Sequence, residues 1–178
     1  MAAPSIYGLM AEFDSAEELL AAARQAHAAG FRRMDAYSPF PVEGLAEAIG
    51  FHDPWVARLV LLAGLFGAGF GFFSQYWVTV LDYPLNVGGR PLNSWPAYIP
   101  ITFELTVLFA ALTAVVGMIA LNRLPMPYHP VFNVPAFRRV TEDGFFLCIE
   151  ATDPLFDGGE TKRFLETLHP REVSEVEY

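Results

Sequence analysis

The chain has 178 residues, of which 53% are hydrophobic, 17% charged and 15% aromatic, and its 20 acidic and 11 basic side chains give a formal net charge of −9. A chain this acidic, with Lys162 as its only lysine, cannot neutralise the phosphates of a nucleic acid, so that class of partner is excluded. A single cysteine, Cys148, excludes a disulfide framework, a cysteine-rich zinc site and an iron–sulfur cluster held by this chain alone.

The charges divide the chain into two acidic flanks and an apolar middle. The acids and bases number 8 and 4 before residue 59, 2 and 1 in residues 59–121, and 10 and 6 after residue 121. We therefore predict that 1–56 and 123–178 are the two halves of one soluble domain and that 57–122 is a membrane segment inserted between them.

The first flank is predicted to fold as a strand, a helix and a strand. Asp14 or Ser15 is expected to cap the helix, and Ser15 and Glu18 have the spacing of a capping box. Gly30 is the residue expected to end that helix, because glycine adopts the left-handed conformation at least cost. The predicted elements are a strand at 5–13, a strand at 31–37 and a short helix at 44–49. Residues 1–15 lack the basic and apolar regions of a signal peptide, which predicts that this end stays in the cytoplasm.

Residues 59–81 predict the first transmembrane helix. They hold no Asp, Glu, Lys or Arg, and a helix of this length rises about 34 Å, slightly more than the hydrocarbon thickness of a bilayer. Gly64, Gly67 and Gly71 predict a close-packing face, with the second span or another subunit as the partner. Glycine is also common in membrane helices in general, so background composition is the alternative interpretation.

The loop at 82–98 is predicted to lie outside the cytoplasm. It holds one arginine, Arg90, whereas Arg58, Arg123, Arg138 and Arg139 flank the two spans, so the positive-inside rule places both termini in the cytoplasm. Aromatic side chains that we expect at the outer membrane boundary are Tyr76, Trp77, Tyr83, Trp95 and Tyr98.

Residues 99–121 predict the second transmembrane helix, interrupted only by Glu104. A chain this short cannot bury two such helices in a soluble core. A carboxylate at this depth needs a partner or a proton. Two interpretations stay open: a structural acid, stabilised by the helix N-terminus and paired with Arg90 or a neighbouring subunit, or a member of a proton or quinol pathway.

The second flank again predicts a strand, a helix and a strand. A proline-rich stretch at 125–135 precedes an apolar strand at 145–151, a helix after Gly158 and Gly159, and an edge strand at 172–176. Joined, the flanks have the βαββαβ order of a ferredoxin-like domain, with the two-helix transmembrane hairpin inserted at its centre. The predicted fold class is therefore an α+β membrane protein.

The sequence offers no candidate for catalysis or cofactor binding. The four histidines are scattered without ligand spacing, and Cys148 lies in an apolar strand where we expect an inert core residue. We predict no catalytic, cofactor-binding or metal-binding residue, and therefore a non-catalytic protein.

Four segments together carry a resemblance to a known family. They are residues 37–42 (YSPFPV), 86–91 (NVGGRP), 94–97 (SWPA) and 99–105 (IPITFEL). In the outer loop this motif contains Gly88, Gly89, Arg90 and Trp95. The pattern resembles the small two-span membrane subunit of alternative complex III, a bacterial quinol-oxidising complex of the respiratory chain. Family members often have His after the first motif, where this chain has Glu43, which argues against a metal at that position.

The resemblance implies a cofactor-free accessory subunit of the bacterial cytoplasmic (inner) membrane that supports assembly and stability. Its implied partners are a pentahaem cytochrome c, an iron–sulfur subunit, polysulfide-reductase-like membrane subunits and a monohaem cytochrome c, besides membrane lipids. Two other functions stay open: a membrane-tethered ferredoxin-like regulatory module, and a subunit that contributes Glu104 to a proton pathway.

Overall fold

The computed structural model describes residues 6–52 and 54–178, which fall into two compact units. The sheet unit lies within residues 1–52 and 127–178, and the hairpin unit lies within residues 53–126. The sheet unit contains β1 (Gly8–Phe13), α1 (Ala16–Ala29), β2 (Met34–Tyr37), α2 (Leu45–Ala48), β3 (Phe145–Glu150), α5 (Gly158–Thr167) and β4 (Glu172–Val176). The hairpin unit contains α3 (Trp55–Tyr76) and α4 (Ile99–Leu121).

The four described strands form one sheet in the order β2-β3-β1-β4, and every neighbouring pair is antiparallel. In the central pair Met10 lies opposite Cys148. The protein is thus a mixture of helices and sheet, as the flanks predicted. β4 has the predicted bounds, whereas β1 begins at Gly8; Ser5, the predicted start, lies outside the described residues.

β2 is shorter than the predicted strand at 31–37, because a side chain accepts hydrogen bonds from the backbone N–H groups just before it. The N–H groups of Arg32 and Arg33 both donate to Oδ2 of Asp153, each at 2.7 Å. Amides that bind a carboxylate do not continue the strand ladder, so β2 begins at Met34.

The capping residues of α1 act as the sequence predicted. The hydroxyl of Ser15 accepts from the backbone N–H of Glu18 at 3.2 Å, and the Glu18 carboxylate accepts from the N–H of Asp14 at 3.2 Å. Gly30 follows the helix with φ of 106°, which glycine adopts without a Cβ penalty. Ser15 and Gly30 therefore cap the two ends of the helix as predicted, whereas the Glu18 carboxylate binds the N–H of Asp14 and not that of Ser15, the partner in a capping box.

One face of the sheet is covered by helices. Leu9, Leu147 and Ile149 point to this face and are almost fully buried. α1 contributes Leu19 to the same cluster and α5 contributes Leu165. Residues from both flanks therefore form one hydrophobic core.

The opposite face is covered by residues 130–141, which we call the covering segment. It consists of two short 3-10 helices, Pro130–Asn133 and Pro135–Thr141, each beginning at a proline whose fixed φ suits a helix start. Val131 and Phe137 of this segment pack on Phe146 and Cys148. Since both faces are covered, β1 and β3 are buried almost throughout.

The hairpin unit has the predicted second span and a longer first helix. α4 has the bounds predicted for that span, 99–121, and a 3-10 turn at Trp95–Tyr98 leads into it. α3 begins at Trp55, four residues before the predicted start. The prediction began after Arg58 because an uncharged apolar run cannot include an arginine, whereas the first turn of a helix can carry one. It continues as a π-helical stretch, Trp77–Asp82. The remaining loop is therefore shorter than the predicted 82–98.

α3 and α4 run antiparallel. Leu59 near the start of α3 approaches Gly117 near the end of α4, whereas the amide of Gln75 near the end of α3 donates to the carbonyl of Tyr98 at 3.1 Å. The chain therefore enters and leaves the hairpin at the same end.

Candidate functional site

Three glycines of α3 face α4 at close range. Gly64, Gly67 and Gly71 are the only residues of α3 that are buried in the described chain. A Cβ added at Gly67 would lie 2.5 Å from the carbonyl oxygen of Leu105, and one at Gly71 would lie 3.1 Å from Cα of Thr102. Gly69, on another side of the helix, has nothing within 4 Å. The absent side chains allow the two backbones to approach.

Polar groups link the two helices at the loop end. The Gln75 amide donates to the carbonyls of Gly71, at 2.9 Å, and Tyr98. The hydroxyl of Tyr98 donates to the carbonyl of Leu92 at 3.1 Å and lies within hydrogen-bond distance of the Thr79 hydroxyl. Tyr98 is only 3% exposed, and its hydroxyl is bound inside the hairpin.

The outer-loop motif forms a tight turn. Gly88 and Gly89 have φ of 63° and 77°, which L side chains rarely adopt, and the N–H of Arg90 donates to the carbonyl of Val87 at 3.2 Å. The Asn86 side chain accepts from the N–H of Gly89 at 3.0 Å. The turn therefore needs both glycines.

Arg90 leaves this turn towards a small cavity. Its Nε donates to the hydroxyl of Ser94 at 2.8 Å. The cavity has a volume of about 320 Å³ and is lined by Val78, Thr79, Tyr83, Leu85, Val87, Arg90, Pro91, Leu92, Ser94 and Tyr98. Trp95, the last residue of the motif, starts the 3-10 turn before α4 and is exposed. No sequence signal pointed to the cavity, although its lining residues all lie within 78–98.

Glu104 lies on the side of α4 that faces away from α3. Thr102, Leu105 and Phe109 form the side in contact with the α3 glycines, and at 100° per residue Glu104 falls opposite to them. Its side chain is exposed. Across residues 6–52 and 54–178 no hydrogen bond or ion pair joins it to another group, so the expected pairing with Arg90 is absent from the chain itself.

A partly buried ion pair joins the covering segment to the sheet. Glu12 of β1 is 5% exposed, and its carboxylate accepts a hydrogen bond from the guanidinium of Arg139. Arg139 also donates twice to Asp143, both bonds at 2.9 Å, and these bonds lower the pKa of that carboxyl. Sequence reasoning missed this pair, since a charge inside a strand pattern does not reveal its partner.

A second polar group lies at the edge of the same sheet face. The hydroxyl of Tyr7 donates to Glu150 at 3.2 Å and lies 3.3 Å from Nε2 of His129. Burial and then the charge of Glu150 raise the pKa of Asp35.

Burial also raises the pKa of the Cys148 thiol to about 12. A buried thiol with a raised pKa is mostly protonated at neutral pH, which disfavours its reaction as a nucleophile.

The glycine pair at the start of α5 has structural surroundings. Gly158 and Gly159 are the first residues of α5, and the N–H of Gly159 donates to the Asp157 carboxylate at 2.9 Å, so this helix start is capped from within the chain. In the part of the chain that the structure describes, no three His, Cys, Asp or Glu side chains are grouped in a way that could hold a metal ion.

Comparison with known families identifies the family of this chain. The sequence model of the family described as "Alternative complex III, ActD subunit" matches residues 7–175. The chain belongs to this family. It is therefore a subunit of alternative complex III, a complex of respiratory electron transport. The family resemblance drawn from the four sequence segments is confirmed. The chain has no match among curated proteins.

Family membership and helix composition together indicate a membrane location. The segments Trp55–Asp82 and Trp95–Leu121 are long and apolar enough to cross a bilayer, with mean hydropathies of 1.9 and 2.2. In the second of these, none of the most apolar stretch is buried within the chain, unlike a core helix of a soluble protein. As a subunit of the complex, the chain has the other subunits as its partners.

Proposed function

We propose that this chain is a cofactor-free accessory subunit that supports the assembly and stability of the redox and quinol-binding subunits of alternative complex III. The observation that carries the proposal is the family match over residues 7–175. The hairpin unit supports it physically. α4 buries none of its residues within the chain, so this surface is free for lipid or for other membrane subunits.

The proposed neighbours are the pentahaem cytochrome c, the iron–sulfur subunit, the polysulfide-reductase-like membrane subunits and the monohaem cytochrome c. These partners would carry the electrons, which is why this chain needs no redox group. The buried thiol of its one cysteine, Cys148, with a pKa of about 12, is consistent with a purely structural core position.

We further propose that the hairpin spans the bacterial cytoplasmic membrane with both termini in the cytoplasm. Two observations support this orientation: the antiparallel helices return the chain to the side from which it entered, and the arginines flank that end while the loop holds only Arg90. Both segments of the sheet unit then lie on the cytoplasmic side. The strand order β2-β3-β1-β4 supports a ferredoxin-like classification for that unit.

Glu104 is proposed to meet a hydrogen-bond donor or cation of a neighbouring subunit. Its exposed position opposite the α3 contact supports this, because an unpaired charge within the hydrocarbon is unfavourable, by about 2.5–3.5 kcal/mol at the centre of a helix on insertion scales and by less near the helix end. A proton-pathway role would use the same exposed position, so the two roles need separate readouts.

Deleting the subunit tests the assembly role directly. We expect that the complex purified from the deletion strain under mild detergent loses other subunits or haem absorbance, and that re-expression of the chain restores them. An intact and equally active complex without this chain would contradict the proposal. A regulatory module, in contrast, would purify alone and leave the haem absorbance of the complex unchanged.

Variants at Glu104 separate its two possible roles. If the acid is structural, Glu104→Gln retains hydrogen bonding and leaves assembly and charge translocation nearly intact, whereas Glu104→Leu weakens subunit association. If it conducts protons, Glu104→Gln abolishes charge translocation while assembly and quinol oxidation persist. The measurement is proton uptake by membrane vesicles, alongside the haem content of the purified complex.

A further inference from the structure

The cavity at the loop end of the hairpin combines an apolar wall with one cation. Leu85, Val87 and Leu92 contribute aliphatic side chains, and Tyr83 and Tyr98 contribute aromatic ones. Among the described residues that line it, Arg90 alone is charged. The π-helical stretch contributes Val78 and Thr79 to the wall. Such a site suits a ligand that is both apolar and anionic.

The cavity lies at the depth where such ligands are found in a membrane. Val78 and Thr79 belong to the last turns of the first helical segment, and Tyr98 lies just before α4. Segments of this length reach the bilayer surface at their ends, so the cavity lies where acyl chains meet headgroups. Arg90 is the only basic residue between Arg58 and Arg123, so the one positively charged side chain of the loop lies at the cavity.

The guanidinium of Arg90 has unused donors. Its one hydrogen bond within the described residues runs from Nε to the hydroxyl of Ser94, at 2.8 Å. The ion pairs formed within residues 6–52 and 54–178 do not include it. Both terminal nitrogens are therefore available, and their fork geometry matches two oxygens of a phosphate. Ser94 accepts from Arg90, so its own proton can be donated to the same anion.

We propose that this cavity binds the phosphodiester headgroup of a phospholipid from the leaflet on the loop side. Arg90 and Ser94 hold the phosphate, and the glycerol backbone and upper acyl chain lie against Leu85 and Leu92. The turn at Gly88 and Gly89 fixes the direction in which Arg90 leaves the loop. The inference rests on the membrane location of the hairpin, not on the assembly role.

Photo-crosslinking in the intact complex tests the site. The complex is placed in phosphatidylcholine nanodiscs that contain one of two probes. The first is a phosphatidylcholine that carries a diazirine in its acyl chain near the headgroup. The second is a diacylglycerol that has the same diazirine-bearing chain and no phosphate. We expect the phospholipid probe to label residues 78–98 about tenfold more than the diacylglycerol probe, the ratio that one charge-assisted pair supports.

Variants identify the groups responsible. Arg90→Gln should bring that ratio close to one, and Arg90→Lys should retain part of it. Leu92→Trp, which fills the cavity, should lower labelling by both probes. Arg123→Gln, at the opposite end of the hairpin, is the matched control and should leave the ratio unchanged. Haem absorbance confirms that each variant complex is assembled, which keeps this result separate from the assembly test.

Three results would overturn the inference. The first is no phospholipid labelling of residues 78–98 in the wild-type complex, and the second is equal labelling by both probes. The third is phospholipid labelling that Arg90→Gln leaves unchanged, which would mean that Arg90 does not hold the phosphate.

Discussion

Leu147 in the sheet unit has no exposed surface, whereas Phe103 in the hairpin unit exposes 66% of its surface. The difference extends through both units. Each face of the sheet is covered by segments of the same chain, but α3 buries only three glycines and α4 buries nothing. The sheet unit thus obtains its stability from its own hydrophobic core, and the hairpin unit depends on close backbone packing and on lipid or protein around it.

The largest expected effect on this contrast comes from the covering segment. Phe137 is 3% exposed and packs on the rings of Tyr37 and Phe146. Phe137→Ala should lower the free energy of unfolding of the sheet unit by about 3–5 kcal/mol, since it opens a cavity on one sheet face. Hydrogen exchange of β3 peptides in the full chain measures this loss of protection.

Phe132 of the same segment is the matched control. It is 70% exposed, so Phe132→Ala should change the free energy of unfolding by less than about 1 kcal/mol. Equal effects of the two substitutions would mean that the covering segment does not form part of the sheet core.

Close packing of the hairpin gives the next largest effect. Gly67→Ala places a methyl group 2.5 Å from the Leu105 carbonyl oxygen and should destabilise the hairpin by about 1–3 kcal/mol. All three tryptophans, Trp55, Trp77 and Trp95, lie in this unit, so tryptophan fluorescence during an SDS titration reports on the hairpin alone.

Gly69→Ala provides the control for that substitution. Nothing lies within 4 Å of its added methyl group, and alanine is the better helix former, so the hairpin should be unchanged or slightly more stable. If Gly67→Ala behaved in the same way, the close approach of α3 to α4 would be wrong.

A smaller effect concerns the pH dependence of the sheet unit. Burial of Asp153 opposes its ionisation, but hydrogen bonds from the N–H groups of Arg33, Arg32 and Leu155 outweigh this and lower its pKa. A carboxyl with a lowered pKa stabilises the folded state above its ordinary value, near pH 4, and that contribution is lost as the pH falls further.

Asp153→Asn should therefore cost about 1 kcal/mol at pH 7, and the difference from wild type should shrink between about pH 4 and lower values. Hydrogen exchange of the β2 peptide at several pH values measures both effects. A difference that stays constant with pH would show that charge has no part in holding Arg32 and Arg33.

The smallest effect is expected at Asp35, where the sign is reversed. Burial and then Glu150 raise its pKa, against the opposing effects of His129 and the Tyr37 hydroxyl. Its stabilising contribution is present below the ordinary carboxyl pKa and is lost as the pH rises. Asp35→Asn should therefore make the sheet unit slightly more stable at pH 7 and leave it unchanged at pH 3, as followed by β2 hydrogen exchange. Destabilisation at pH 7 would contradict this assignment.

Local signals in the sequence predicted the elements that local interactions form. Ser15, Glu18 and Gly30 marked the ends of α1 because caps are contacts between near neighbours. The bounds of α4 followed from an apolar run that ends at Asn122. The π-helical end of the first helix was missed, since its composition is that of an ordinary apolar helix.

The candidate site was less predictable. The sequence singled out Arg90 and Glu104 as unusual charges, but not their surroundings: Arg90 binds Ser94 and lines a cavity, and Glu104 faces away from the partner helix. The surroundings of Glu104 depend on the rotation of α4 about its axis, which is set by the contacts of Gly67 and Gly71 with α4.

The sequence by itself determined the class of this protein: two apolar spans between acidic flanks, a motif in the connecting loop, and the helices and strands of each flank. Charge segregation and periodicity carry that information because hydration acts on each segment separately. Only the tertiary structure decided that residues 130–141 cover the second sheet face, that Glu12 meets Arg139, and that Tyr98 is buried. Those contacts join residues distant in sequence, and their free energy arises only when the whole unit packs.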